Sequence, residues 1–217
     1  MTDEIILESP PEMTSSASEI SAVFTQESIG TMAAKLKLVE SLLKLTTRDI
    51  PFKDFTRELL MIILHTIKCE AGSIFEINYE NQTLFFRAAS GRSSDKVSNF
   101  EMPLGQGIVG HVAESQQAML INDIQNNPLH AKAISQAVDF EVHNLIAVPI
   151  IIRTRTYGVL ELLNRVGEHS FSSSDLDLLN YASDMIARTV EIRMILNWSK
   201  KAENRAASDS SRTGVAA

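Results

Sequence analysis

A chain of 217 residues accommodates one well-cored domain with tails or at most two small ones, and 44% hydrophobic with 22% charged residues excludes wholesale disorder. Twenty Lys and Arg against 27 Asp and Glu leave a net charge of −7, which argues against a dedicated polyanion binder, so no nucleic-acid partner is expected. The single cysteine, Cys69, excludes a disulfide framework and a cysteine-based zinc site. The most apolar run, Leu145–Ile152, is far short of a membrane span, and Met1–Glu4 lacks the basic start of a secretory signal. The sequence reads as a soluble cytoplasmic chain with no membrane partner.

Residues 1–27 carry six acidic side chains and no Lys or Arg, with a Pro10-Pro11 break and a Ser/Thr cluster, and read as an acidic disordered tail. The working domain spans 28–200. Met32, Leu36, Val39 and Leu43 follow the 3,4 spacing of an amphipathic helix, and Phe55, Leu59, Ile63 and Ile67 repeat it after Pro51. Gly72–Asn78 and Thr83–Ala89 are β-rich and flank Tyr79–Gln82, a good hairpin connection. Phe100–Leu104 is a short strand; Gly105–Ser115 is a glycine-hinged turn into a short helix; Ala118–Ile121 is a strand. Asn126-Asn127-Pro128 opens a further short helix at Ala131–Ala137. Asn144–Ile152 and Tyr157–Leu163 are the most apolar strands, joined by the turn Arg153–Thr156. Ser172 or Ser173 caps a final helix over 173–200, and 201–217 is a second disordered tail. Helices at both ends around hairpin-linked strands predict an α+β fold with an antiparallel sheet.

The final helix carries two apolar rows, Leu178, Met185, Ile192, Ile195 and Leu179, Ala182, Ile186, Val190. A helix lying on one sheet needs a single stripe about 100° wide. Two rows predict a second partner, so a homodimer is expected with Leu179, Met185, Ile186 and Ile192 at its interface and Trp198 near its end.

Four blocks together resemble the GAF domain, a regulatory small-molecule-binding module of phosphodiesterases, adenylyl cyclases, phytochromes and bacterial sensors. They are Ala71–Phe75 with Ala88–Gly91; Gly105-Gln106-Gly107-Ile108-Val109-Gly110-His111-Val112-Ala113; Ile121-Asn122-Asp123-Ile124 through Pro128; and Leu145–Ile150 continuing to Gly158–Asn164. The resemblance covers about 52–195 and implies a six-stranded antiparallel sheet with flanking helices. It also implies a non-catalytic dimeric sensor that binds a small ligand, cyclic AMP or cyclic GMP first among them, and relays it through its terminal helices to a separate output protein. The competing reading is a ligand-free dimerisation scaffold whose pocket is filled by its own side chains.

The ligand positions implied by the resemblance are Ser73, Ala89, Ser90, Ile108, Val109, His111, Asp123, Val142 and Glu161. Ser73 and Glu161 resemble polar contacts to base and ribose, and the backbone at Ile108 and Val109 lies where helix-start N–H groups can hold a phosphate. Ala89-Ser90 replaces an aromatic-acidic pair, and Val142 replaces a threonine. Asn164, Arg165, Phe171 and Asp175 match the motif that latches the last strand to the last helix in cyclic-nucleotide-binding members, with Arg in place of Lys and Leu176 in place of Glu. Catalysis finds no constellation. The five histidines show no HExxH or metal spacing, and one cysteine cannot serve the methionine sulfoxide reductases of the family. No metal or cofactor is expected, although the resemblance would place a haem ligand, where there is one, near His143.

Overall fold

The computed structural model describes residues 26–91, 94, 100–129, 140–167 and 170–213. In chain order the elements are α1 (Gln26–Thr46), α2 (Phe52–Ile67), β1 (Cys69–Asn78), β2 (Thr83–Ser90), β3 (Glu101–Pro103), α3 (Gly107–Ser115), β4 (Met119–Ile121), β5 (Leu145–Ile152), β6 (Arg155–Arg165) and α4 (Ser173–Thr213). The six strands form one sheet in the order β3-β2-β1-β6-β5-β4, with every neighbouring pair antiparallel. This is the α+β architecture that the sequence predicts. The acidic stretch up to residue 25 and the helix expected at Ala131–Ala137 lie outside the described residues.

Side-chain alternation gives the sheet two faces. Ile74 on β1, Ile146, Val148 and Ile150 on β5, and Leu160 and Leu162 on β6 pack with α1, α2 and α4 in one buried cluster. Phe75, Ile77, Leu84, Met102, Leu145, Ala147 and Val159 form the other, beneath Ile108, Val109 and Val112 of α3. The strands are therefore covered on both faces, which explains why β5 reads as a continuous apolar run rather than as an alternating one. Gly158 is required where β6 meets β1, since a Cβ there would sit 1.9 Å from the Phe75 carbonyl oxygen.

Local signals set the connections. The Asn78 side chain accepts from the Glu80 and Asn81 N–H groups at 3.0 and 3.3 Å, folding the β1–β2 turn back on itself. Between β5 and β6 the turn is tighter than expected: Arg155 and Thr156 already belong to β6, and Arg153 takes a left-handed φ of 59°. Among the described residues no helix is long and apolar enough to cross a membrane.

The end helices depart from the reading of their faces. On α1 the domain buries Leu38, Leu42 and Leu45, while Met32, Leu36 and Leu43 stay exposed. The expected stripe is real but points outward, because α1 carries two offset apolar rows and the domain takes the other. On α4, Leu179 and Ile186 are buried against the protein's own core, out of a partner's reach, while Ile192 is 56% exposed and Met185 is half-buried. The helix also continues to Thr213 through Ala, Lys, Glu and Arg, good helix formers with no Gly or Pro among them, so much of the expected C-terminal tail is helical. The side chain of Trp198 is not among those described.

Candidate functional site

Cross-strand register assembles the site. Ala89 of β2 pairs with Ser73 of β1, Ser73 with Glu161 of β6, Glu161 with Ala147 of β5, and Ala147 with Met119 of β4. Directly opposed residues in antiparallel strands share a face, so these five side chains form one row across five strands, on the face covered by α3. Three of them, Ser73, Ala89 and Ala147, are small, and Ala71 and Gly91 border the row with equally little bulk. The result is a floor of small residues with a single carboxyl at its centre.

Glu161 has no ion-pair or hydrogen-bond partner among the described residues, and burial alone pushes its carboxyl up to about 7. Ser73, 7% exposed, likewise finds no side-chain partner among them. Glu161 is half-buried, so its carboxyl loses part of its hydration with no charge partner to offset it, and such groups concentrate where a ligand completes them. The sheet's own arginines are engaged elsewhere. Arg87 reaches Glu76 at 2.5 Å and lies over the Phe52 and Phe85 rings, Arg165 pairs with Asp175, and Arg155 lies over the Tyr79 ring. One wall is aromatic: Phe75 and Phe86 have ring centroids 4.3 Å apart, and Phe100 meets Phe86 edge-on.

The roof begins at Gly105-Gln106-Gly107. Both glycines have positive φ, at 82° and 67°, and Gly110 approaches so closely that a Cβ would lie 2.7 Å from the Gly105 carbonyl carbon. That close turn lays the start of α3 over the sheet. Gln106 gives no side-chain cap there, so the first N–H groups of α3 have no side-chain partner from it. Ile108, Val109 and Val142 are all buried in the apolar cluster on this face.

Three expected positions are turned away. Ser90 follows Ala89 by one residue and so faces the helical layer, where its hydroxyl approaches the Met61 sulfur at 3.2 Å. His111 is exposed on the outer side of α3, and Asp123 is exposed in a turn where it accepts from the Asn126 side-chain amide at 2.7 Å. His143 is exposed beside Glu141, away from the row.

The corner between β6 and α4 is built from reciprocal bonds. Arg165 Nε lies 3.2 Å from Asp175 Oδ2, which also accepts from the Ser172 N–H and hydroxyl; the Ser172 hydroxyl in turn accepts from the Asp175 N–H. Ser172 is thus the N-cap of α4, with Asp175 completing a capping box. Asn164, at φ 55°, accepts from the His143 N–H and donates to Glu70 and the Glu141 carbonyl, while Phe171 is buried beneath the helices. Sequence reasoning missed Asn122. Its side chain pairs with both backbone groups of Phe171, accepting from the N–H at 2.8 Å and donating to the carbonyl at 3.0 Å. A polar residue directly after a short strand was the available signal, but its partner is 49 residues away.

The sequence model of the GAF domain matches residues 51–190. The chain belongs to the GAF domain family. Its relatives include the Nif-specific regulatory protein of Azospirillum lipoferum, 22% identical over 153 residues, which are 69% of this chain and 24% of that protein. The chain thus spans about a quarter of the length of that regulator. A second relative is the cone cGMP-specific 3',5'-cyclic phosphodiesterase subunit alpha' of Mus musculus, 25% identical over 91 residues, 42% of this chain and 11% of that one. Among solved structures, the GAF domain from an Acinetobacter phosphoenolpyruvate-protein phosphotransferase superposes with a TM-score of 0.63 at 16% identity, covering 77% of this chain and 96% of that domain. GAF domains are typically regulatory, and the two relatives are a regulatory protein and a phosphodiesterase subunit.

Proposed function

We propose that this GAF domain is a non-catalytic cytoplasmic sensor that binds a small ligand between the Ala89–Met119 row and α3 and passes the bound state to a separate output protein through α4. The observation that carries this reading is the pair Ser73 and Glu161, two polar side chains without partners among the described residues on a floor of small side chains. A cyclic nucleotide is the first ligand to test: a relative is named for cGMP, and the start of α3 offers N–H groups to a phosphate. The lone cysteine, half-buried with its thiol pushed up to about 12 by burial, supports the non-catalytic side of the reading.

The sensor acts as a homodimer through the outward faces of its end helices. Ile29, Met32, Leu36 and Leu43 on α1 follow heptad spacing and are each more than half exposed, as are Ile192, Ile195 and Leu196 on α4. Since α1 and α4 pack side by side, two copies would bury both rows together. A ligand shifts such a dimer only by its differential affinity for two states. The test is a thermal-shift titration with cyclic AMP, cyclic GMP, cyclic dinucleotides and unmodified nucleotides. A saturable rise with one ligand that vanishes in Glu161→Ala is expected; a cooperative melt that no ligand moves would leave the scaffold reading instead.

A further inference from the structure

We propose that the groove between α1 and α2 is a docking site for this chain's own residues 3–8, Asp-Glu-Ile-Ile-Leu-Glu, which precede α1 in the sequence. The inference stands apart from the ligand reading, because α1 and α2 cover the opposite face of the sheet from Glu161 and α3. These two helices are joined by residues 47–51 alone and pack as a helical hairpin. Between them lies a groove of about 330 Å³, lined by Lys37 and Ser41 of α1 and by Met61, Ile62 and His65 of α2 among others. Met61 is 38% exposed there.

Two patterns match. On the exposed face of α2, Lys53, Arg57, Met61 and His65 recur at every fourth residue and Lys68 follows just past the helix, so an apolar centre is flanked by cations. Lys37 adds a positive charge from α1. None of Lys37, Lys53, Arg57 and Lys68 forms an ion pair among the described residues. Of the nearby acids, Glu58 pairs with Arg48 and Glu40 with Lys44, which leaves Asp54 in the first turn of α2. Residues 1–25 hold five carboxylates and no Lys or Arg, and Asp3-Glu4 and Glu8 bracket Ile5-Ile6-Leu7. Glu4 to Glu8 spans about 13 Å as extended chain, against about 12 Å from Arg57 to His65 along the helix. The hairpin sets the start of α1 beside the end of α2, so the segment enters at Lys68. That direction brings Glu8 to His65 and Glu4 to Arg57, and lays Ile6 over Met61. Reach is ample: the chain from Glu8 to Gln26 extends up to about 60 Å, and Lys37 is only about 16 Å along α1 from Gln26. A segment too polar to build a core of its own gains order by such docking.

The experiment uses the full chain with Cys69→Ala and Thr2→Cys, a nitroxide attached at position 2 and methyl-labelled methionine. The Met61 resonance is assigned with Met61→Leu. The expected result is a Met61 methyl signal at least halved relative to the chemically reduced sample, with Met32 far less affected. Met32 lies nearer the start of α1, so a segment with no preferred seat would broaden it at least as strongly. Ile6→Asp and, separately, Arg57→Glu should each restore the Met61 signal while the melt stays cooperative. No broadening at Met61, equal broadening of Met32 and Met61, or a Met61 loss that neither substitution restores overturns the proposal. Broadening seen only between a spin-labelled copy and a separately methyl-labelled one overturns it too, since the groove would then hold a second copy's segment.

Discussion

The carboxyl at the centre of the row should make stability depend on pH in a direction opposite to that of most acidic groups. Its ordinary value is 4.5 and in the fold it is pushed up to about 7 by burial. The folded state therefore holds the Glu161 proton more tightly than the unfolded chain does. The stabilising contribution is fully present below pH 4.5 and is lost as pH rises through 7. At 1.36 kcal/mol per pH unit the complete displacement amounts to about 3 kcal/mol, an upper bound because part of the side chain still meets solvent. Glu161→Gln keeps the shape and removes the ionisation. Thermal melts of both chains from pH 4.5 to 8.5 should nearly coincide at the acid end. They should separate progressively between pH 4.5 and 7 and stay a constant distance apart above that, with the variant melting several degrees higher, at roughly 2–4 °C per kcal/mol for a domain of this size. Taking the difference between the two chains cancels every other titrating group. Melting curves that stay parallel across the range would show that Glu161 is well hydrated or paired in the fold, and the argument for an unfilled polar site would fail with it.

Other expectations follow from burial and geometry. Leu36→Asp and Ile192→Asp, on exposed positions of α1 and α4, should convert a dimer to a monomer by light scattering while leaving the melt cooperative; Ile186→Asp, in the core, should prevent folding outright. A dimer that survives both surface changes would show that the interface lies elsewhere. Asn122→Ala should cost about 1–3 kcal/mol and speed hydrogen exchange at the Phe171 amide, which it holds directly; unchanged exchange there would refute the clamp. Asp175→Ala removes both the Arg165 partner and half the capping box, so exchange should quicken over the first turn of α4, with a stability loss of about 1–2 kcal/mol by urea titration. Gly158→Ala should cost more than about 3 kcal/mol, since the added carbon meets backbone rather than a movable side chain.

What the sequence made legible was whatever depends on spacing along one segment. The α2 stripe of Phe55, Leu59, Ile63 and Ile67, the hairpin around Asn78, and the Ser172 start of α4 each follow from a few adjacent residues. The resemblance of the glycine block pointed to the face that α3 covers, because glycines needed at positive φ leave little choice about the turn they make. What spacing could not decide was which of two competing rows the domain buries. On α1 the periodicity of Met32, Leu36, Val39 and Leu43 is as regular as that of Leu38, Leu42 and Leu45, and only the packing of α2 and α4 selects the second. The same ambiguity turned Leu179 and Ile186 from interface candidates into core. Ser90 failed for a smaller reason: neighbouring strand residues face opposite ways, so an Ala89-Ser90 pair can never enter one site together.

The row itself shows how far the two kinds of information reach. Ser73 and Glu161 are 88 positions apart in the chain, and Ala147 and Met119 come from two further strands. Only the register of β1 on β6, and of β6 on β5, sets a lone carboxyl among side chains too small to shield it. Asn122 belongs to the same class. Its two bonds to Phe171 tie the segment after β4, at one edge of the sheet, to the residue that precedes the α4 cap on the helical side. A ligand drawing that segment toward Glu161 would therefore pull on the entry of α4 without any change in the sheet between them. The sign of the effect is testable in one chain: with Asn122→Ala, ligand binding should persist while the ligand-dependent change in exchange at the start of α4 disappears. Loss of binding instead would place Asn122 in the site and remove it from the relay.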